Sequence, residues 1–180
     1  MGAGAEDTAA LEAQLFAHLE NIPDPEIPVL NIVEMGIVRG VVVSPQSVLV
    51  TITPTYMGCP AMDFIAEDVV RVVSGAPDFN GRTVEVKLVY SPAWTTDWLS
   101  QDARNRLEEY GISPPDRSVR DPKRCPHCHA PDTKLVSEFG STACKAHYRC
   151  LSCDEPFEHF KCLLWPLGED WQKYGGGRPC

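Results

Sequence analysis

The first part of the chain alternates between apolar positions at helical spacing and apolar positions at strand spacing. The segment "DTAALEAQLFAHLENI" predicts a helix on the spacing of Leu11, Leu15 and Leu19, with Asp7 or Thr8 as its N-cap. The prolines of "PDPEIP" end it. Two β-branched runs, "GIVRGVVV" and "SVLVTIT", are separated by "SPQ", which predicts a hairpin.

Three further elements follow in the same part of the chain. The segment "CPAMDFIAEDVVRVV" repeats apolar residues on one helical face, and "RTVEVKLVY" alternates as a half-exposed strand does. The segment "SPAWTTDWLSQDARNRLEEYG" predicts a loop and an amphipathic helix that Gly111 can cap. The order α-β-β-α-β-α predicts a small α+β domain with its helices on one face of a sheet.

The distribution of cysteine divides the chain. Residues 1–120 contain one cysteine, Cys59, and residues 121–180 contain the other seven. The stretch between, rich in proline and charge, lacks apolar periodicity and is typical of a linker. The resulting organisation, in chain order, is an α+β domain at 1–112, a linker at 113–124, a zinc-ribbon module at 125–168 and a flexible tail at 169–180.

Charge and composition narrow the classes of partner. The 180 residues carry a formal net charge of -9, and the segment from Asp121 to Trp165 balances its basic and acidic residues, so we expect no nucleic acid partner. No apolar run approaches the ~20 residues that span a bilayer, and the acidic N-terminus does not resemble a signal peptide. We therefore expect a cytoplasmic protein without membrane contact. In a reducing cytoplasm its cysteines favour metal ligation or thiol chemistry over disulfides.

The strongest chemical signal is a pair of Cys-x-x-Cys motifs, "CPHC" and "CLSC". Cys125, Cys128, Cys150 and Cys153 can place four thiolates at the corners of a tetrahedron, which predicts a structural zinc site. A segment this short builds little core, so the metal would supply much of its folding free energy. Further residues could replace one of these ligands: Cys144, Cys162, His127, His129 and His147.

Two alternatives to zinc stay open from the residues alone. Rubredoxin-like iron is less favoured because such turns usually carry glycine after the second cysteine, where this chain has His129 and Asp154. A redox dithiol would need only one of the two motifs. The simplest interpretation of His127 and His129 is that they are solvated turn residues.

Cys59 in "TPTYMGCPAMDFI" stands apart from the other cysteines. Gly58 permits a tight turn and Pro60 suits the first position of a helix, so the thiol lies near a helix N-terminus. Unpaired N–H groups there favour a thiolate, so we expect a lowered thiol pKa. A small buried cysteine capping the helix is the alternative.

Asp24 and Glu26 flank Pro25 in "DPEIPVLNIVEMGIV", which holds two carboxylates on a rigid turn. They could act as accompanying metal ligands or hydrogen-bond acceptors. Equally, the turn could be structural, with Asp24 capping it.

The two motifs "DPEIPVLNIVEMGIV" and "TITPTYMGCPA", in this order, resemble the SufT-like family of small iron–sulfur assembly domains over residues 10–112. With the C-terminal ribbon, the whole chain is similar to a family of accessory D proteins from phenylacetate degradation. That resemblance implies a non-enzymatic factor that matures the iron or iron–sulfur centres of a multicomponent phenylacetyl-CoA epoxidase. It makes Cys59 the functional thiol and Asp24 and Glu26 its accompanying carboxylates.

The resemblance also implies cofactors and partners. These are structural zinc, a transient iron or iron–sulfur cluster, and the oxygenase or reductase subunits of the epoxidase; a homodimer is compatible with the sequence. No histidine has glutamate three residues before it, so the di-iron chemistry belongs to other chains. A structural adaptor that handles no metal is the alternative function, and a redox enzyme ranks third.

Overall fold

The computed structural model describes residues 3–115 and 123–161. The chain divides between Ala93 and Trp94 into two compact units, an N-terminal and a C-terminal one. Within the described ranges, every helix is too short or too polar to cross a bilayer.

The N-terminal unit contains the predicted hairpin, a third strand and two helices. Strand β1 pairs antiparallel with β2, and β3 pairs parallel with β2, so the sheet order is β1-β2-β3. The crossover between β2 and β3 contains helix α2, which packs on β3 and on α1, while α1 packs on β1. The bounds are α1 Ala3–Leu19, β1 Val38–Val43, β2 Ser47–Ile52, α2 Ala61–Gly75 and β3 Thr83–Leu88.

Helix α1 is longer than its sequence pattern indicates. It begins at Ala3, so Asp7 and Thr8 lie inside the helix and the predicted N-cap is wrong. Alanine has the highest helix propensity of all residues, and the alanine-rich start extends the helix beyond its amphipathic part. The amphipathic part is packed as expected, with Leu15 and Leu19 fully buried.

The loop between α1 and β1 has an apolar interior of its own. Main-chain hydrogen bonds tie it together, from Asp24 N to Leu30 O (2.9 Å) and from Ile32 N to Ile22 O (3.0 Å). Six of its side chains are at most 1% exposed: Ile22, Ile27, Leu30, Ile32, Met35 and Ile37. This packing fixes the Asp-Pro-Glu turn relative to the sheet.

The C-terminal unit is built on a second sheet. Its strand order is β4-β7-β6-β5, in which β6 is antiparallel to both β5 and β7, and β4 is parallel to β7. Gly111, at φ +91°, ends helix α3 as predicted and turns the chain into β4. The bounds are α3 Gln101–Glu109, β4 Ile112–Ser113, β5 Thr133–Ser137, β6 Lys145–Cys150 and β7 Pro156–Phe160.

Residues 94–113 pack with the ribbon inside the C-terminal unit. Strand β4 pairs Ile112 with Glu158, and buried Trp94 meets Phe160 edge-on at 5.9 Å between ring centroids. The sequence assigns α3 to the first domain because it precedes the proline-rich linker. Nothing local reveals that the two residues of β4 pair with a strand more than 40 positions later.

The proposed domain boundaries stay predictions, although the contacts divide the chain nearer its middle. Residues 116–122 of the linker, 162–168 of the ribbon module and the tail at 169–180 lie outside the described residues. Among the described residues, the last strand of the ribbon is β7, in which Phe157 and Phe160 are buried.

Candidate metal centre and candidate thiol site

The structure brings the four cysteines of the two Cys-x-x-Cys motifs together. Their sulfur atoms all lie within 4.8 Å of one another. The Cys125 and Cys153 sulfurs are 3.8 Å apart, and those of Cys128 and Cys150 are 3.5 Å apart. Metal–sulfur bonds of ~2.3 Å in a tetrahedron place the sulfurs about 3.8 Å apart. The four thiols therefore fit one tetrahedral metal ion.

Each motif forms a tight turn beside the sheet. In the first turn, Cys125 N donates to Ala130 O (3.0 Å) and His129 N donates to Cys125 O (2.9 Å). In the second, Cys150 ends β6 and its N–H donates to Glu155 O at 2.9 Å. Cys125 and Cys150 are buried, whereas Cys128 is exposed and Cys153 is half-buried. One ligand, Cys128, thus faces solvent.

Main-chain N–H groups prepare one of these thiols for metal. The N–H of Cys153 lies 3.5 Å from the Cys150 sulfur, and together with the N–H of Ser152 it lowers the pKa of Cys150 to about 6. Burial raises the pKa of Cys125 instead. The thiolate is the form that ligates metal, and main-chain N–H groups favour this form at Cys150.

The alternative ligands lie elsewhere or outside the described residues. Cys144 is buried, and its sulfur is 3.0 Å from the Thr142 hydroxyl rather than in the cluster. Among the described residues, the group of potential ligands contains no histidine. Cys162 lies outside the described residues.

His129 and Asp154 occupy equivalent positions, directly after the second cysteine of each motif. Both adopt the left-handed backbone conformation, at φ 60° and 67°. The left-handed conformation that glycine usually adopts at this position is therefore present in both turns. The absence of glycine no longer argues against rubredoxin-like iron. His127 and His129 are exposed as expected, but His129 is also hydrogen-bonded, because its Nδ1 lies 3.1 Å from Glu108 Oε1.

The lone thiol of the N-terminal unit lies in the turn between β2 and α2. Gly58 adopts φ +79°, Cys59 N donates to Tyr56 O at 3.2 Å, and α2 begins two residues later at Ala61. Pro60, which precedes the helix, has helical dihedral angles. The Cys59 side chain is half-buried, so it is not sealed in the core.

The expected lowering of the Cys59 pKa is wrong. Burial raises this pKa, and the negative charges of Glu26 and Asp24 raise it further. The N–H of Ala61, at the helix start, opposes the shift as the sequence suggests, and so does a hydrogen bond from Tyr56, but both effects are smaller than burial. The resting thiol is therefore neutral.

The two carboxylates differ in their surroundings. Asp24 is buried, and its Oδ1 accepts hydrogen bonds from Glu26 N (2.9 Å) and Ile27 N (2.8 Å). It therefore caps the turn, which is the structural interpretation of this residue. Glu26 is half-buried. The charges of both reach Cys59, so the fold brings all three predicted site residues into electrostatic contact.

Two residues of this turn were not predicted from the sequence. Tyr56 forms a hydrogen bond with the Cys59 thiol. Its position three residues before the cysteine was the signal in the sequence that could have indicated this contact. Thr53, which opens the turn, is 1% exposed and its hydroxyl has no hydrogen-bond partner among the described atoms. Nothing in the sequence distinguishes this threonine from an ordinary strand end.

Comparison with known families matches both parts of the chain. Residues 12–86 match a family described as iron–sulfur cluster assembly protein. Residues 113–161 match the PaaD zinc beta ribbon domain. The crystal structure of a domain of unknown function (DUF59) from Bacillus anthracis is similar at a TM-score of 0.53 and 34% identity, covering 57% of this chain and 96% of that one. An iron–sulfur assembly domain followed by a zinc ribbon is thus the class that fold and site define.

Full-length relatives define the family more narrowly. A protein from Escherichia coli K12, named as the D component of 1,2-phenylacetyl-CoA epoxidase, is 50% identical over 156 residues, which cover 83% of this chain and 92% of that protein. An Fe-S protein maturation auxiliary factor from Porphyromonas gingivalis is 38% identical over 97 residues, 53% of this chain and 90% of that protein. The chain belongs to the PaaD family, the D components of phenylacetyl-CoA epoxidase.

Proposed function

We propose that this chain is an accessory factor for the maturation of the iron or iron–sulfur centres of a multicomponent phenylacetyl-CoA epoxidase. Family membership supports the epoxidase system, and the relatives named as maturation factors support the assembly role. Those relatives are accessory proteins, and the chain carries no Glu-x-x-His pair for di-iron catalysis, so it is not an enzyme. Its partners are the oxygenase or reductase subunits of that system.

The proposal rests on one observation at the thiol site. Cys59 is half-buried, and the charges of two carboxylates, Asp24 and Glu26, act on its thiol. Their negative charge attracts a cation to the turn, and it adds to the effect of burial, which raises the pKa of the Cys59 thiol. An arriving iron cation would offset the carboxylate charge and favour loss of the thiol proton. Cys59 would then ligate the iron, as cargo, or contact the receiving subunit.

The ribbon has a different role in this proposal. Its four sulfurs fill a tetrahedral coordination sphere with protein ligands, which is typical of structural zinc. A closed site of this kind leaves no position for cargo. We propose that zinc holds the ribbon in the shape needed to dock on an epoxidase subunit.

Replacing Cys59 tests the role of the thiol. The epoxidase subunits are co-expressed with the wild-type chain or with Cys59→Ser, and the purified oxygenase is analysed for iron content and epoxidation rate. We expect several-fold less iron and proportionally less activity with the variant, at unchanged thermal stability, because only the thiol is altered. Glu85→Gln, on the exposed side of β3, is the control and is expected to behave as wild type.

The adaptor function makes the opposite prediction. If the chain only stabilises the complex, Cys59→Ser leaves iron content and activity normal. In that case Cys150→Ser, which breaks the metal site, still abolishes association with the oxygenase. This pair of results would reject the maturation role and establish the adaptor.

A further inference from the structure

Both metal-binding turns contain a residue in an unfavourable backbone conformation. Among the described residues, His129 and Asp154 are the non-glycine residues with positive φ. Each directly follows a cysteine of the cluster, Cys128 and Cys153. A side chain in the left-handed region crowds its own main chain, so each turn needs further contacts to keep this shape.

Each of these strained residues is held by a polar side chain from elsewhere in the C-terminal unit. Asp154 receives two hydrogen bonds from Arg149, at 2.9 Å from Nε and 2.7 Å from Nη2. Arg149 belongs to β6, so this contact stays within the ribbon. His129 is held by Glu108, whose Oε1 lies 3.1 Å from Nδ1. Glu108 belongs to the last turn of α3, outside the ribbon's own hairpins.

The first turn also comes close to the end of α3 at a second point. A Cβ added at Gly111, just after the helix, would lie 3.3 Å from Cε1 of His127, which is tighter than most Cβ contacts in proteins. The end of α3 therefore lies close to the first turn at His127 and at His129. Of the two cysteines in this turn, Cys125 is buried and Cys128 is exposed. Solvent and competing ligands reach the metal first at that sulfur.

We propose that Glu108 and His129 are positioning residues of the metal site, and that their contact slows metal loss through Cys128. Helix α3 thereby helps to hold Cys128, the ligand that is exposed to solvent, in place. The contact keeps His129 in the left-handed conformation, and this conformation orients the preceding sulfur towards the ion. Partners outside the ligand shell commonly control metal retention in this way.

The test measures metal release rather than function. The full chain is loaded with zinc, and the rate at which a chromophoric chelator takes the metal is compared for wild type and Glu108→Ala. We expect release to be faster by a factor of about three to ten. This is at or below the lower end of the usual effect of outer-shell contacts, because this pair is partly exposed. Glu109→Ala, the neighbouring exposed glutamate, is the matched control and is expected to release at the wild-type rate.

A double substitution separates positioning from general destabilisation. His129→Gly removes the backbone strain together with the side chain, so adding Glu108→Ala to it should change the release rate no further. Cobalt-loaded variants should keep the absorption spectrum of a tetrahedral four-thiolate site. The proposal is overturned if Glu108→Ala releases metal at the wild-type rate, if Glu109→Ala accelerates it equally, or if the effect of Glu108→Ala persists with His129→Gly.

Discussion

At the scale of single residues, the informative feature is the protonation state of Cys59. Its pKa is raised by burial, and then by the charges of Glu26 and Asp24. A neutral thiol resists alkylation and oxidation, since the thiolate is the reactive form. The Cys59 thiol is therefore partly accessible but has low reactivity. These properties suit a metal ligand better than a nucleophile that attacks an electrophile.

Removing the Glu26 charge should make Cys59 more reactive. Glu26→Gln lowers the Cys59 pKa, so at mildly alkaline pH, below that pKa, the thiolate fraction rises. We expect alkylation by iodoacetamide to be faster by a factor of about two to ten, as for one partly screened charge. The rate is read by mass spectrometry of the peptide that contains Cys59, with Glu85→Gln as the control. Unchanged or slower alkylation would mean that Glu26 does not act on the thiol.

The direction of the Cys59 pKa shift could not be predicted from the sequence. The helix start at Pro60 and Ala61 is local and was predicted, and it does favour the thiolate. Burial and the carboxylates of Asp24 and Glu26 come from packing and from a loop more than 30 residues earlier. Both depend on tertiary structure, so the sequence could name the candidate residues of the site but not their electrostatic balance.

At the scale of elements, the loop that carries Asp24 behaves as a packed unit. Its apolar side chains are buried, and Asp24 Oδ1 binds the N–H groups of Glu26 and Ile27. Because Ile27 is itself 1% exposed, water cannot readily replace this acceptor. Asp24 therefore shapes the turn that presents Glu26.

Truncating Asp24 should destabilise the fold. Asp24→Ala leaves two turn N–H groups without their acceptor, and we expect a loss of about 1–3 kcal/mol in the free energy of unfolding. Asp24→Asn keeps an oxygen in place and should cost much less. Urea denaturation followed by far-UV circular dichroism measures both. Equal losses for the two variants would show that the charge, rather than the acceptor, holds the turn.

Long periodic elements were predictable and the short pairing strand was not. The face of α2 and the alternation in β2 each specify an element from local pattern alone, and both were confirmed. Strand β4 has two residues, too few for any period to appear. It forms because Ile112 and Ser113 find a partner in β7, and this pairing takes α3 into the C-terminal unit.

At the scale of the whole molecule, the tryptophans report on one unit only. Trp94 and Trp98 belong to the described part of the C-terminal unit, Trp165 and Trp171 lie outside the described residues, and residues 1–93 contain no tryptophan. Trp94 is buried and meets both Trp98 and Phe160 edge-on. Tryptophan emission is therefore a selective probe of the unit that holds the four cysteines.

Removing the metal should disrupt the C-terminal unit and spare the other. Structural zinc contributes ~10–16 kcal/mol in small zinc domains, comparable with the ~5–15 kcal/mol stability of a whole domain. We expect chelation to shift tryptophan emission to longer wavelength and to remove amide protection from 123–161, while 8–88 keeps its protection. Adding zinc back should reverse both changes. Unaltered emission, or equal loss of protection in 8–88, would contradict the prediction.

The parallel pairing of β4 with β7 has a practical consequence for dividing this protein. A cut after residue 112, where composition alone suggests one, would divide β4 and take Glu108 away from His129. A cut after Ala93 leaves each described strand beside its neighbours in both pieces. Fragments intended to capture the ribbon with its helix should therefore start at Trp94.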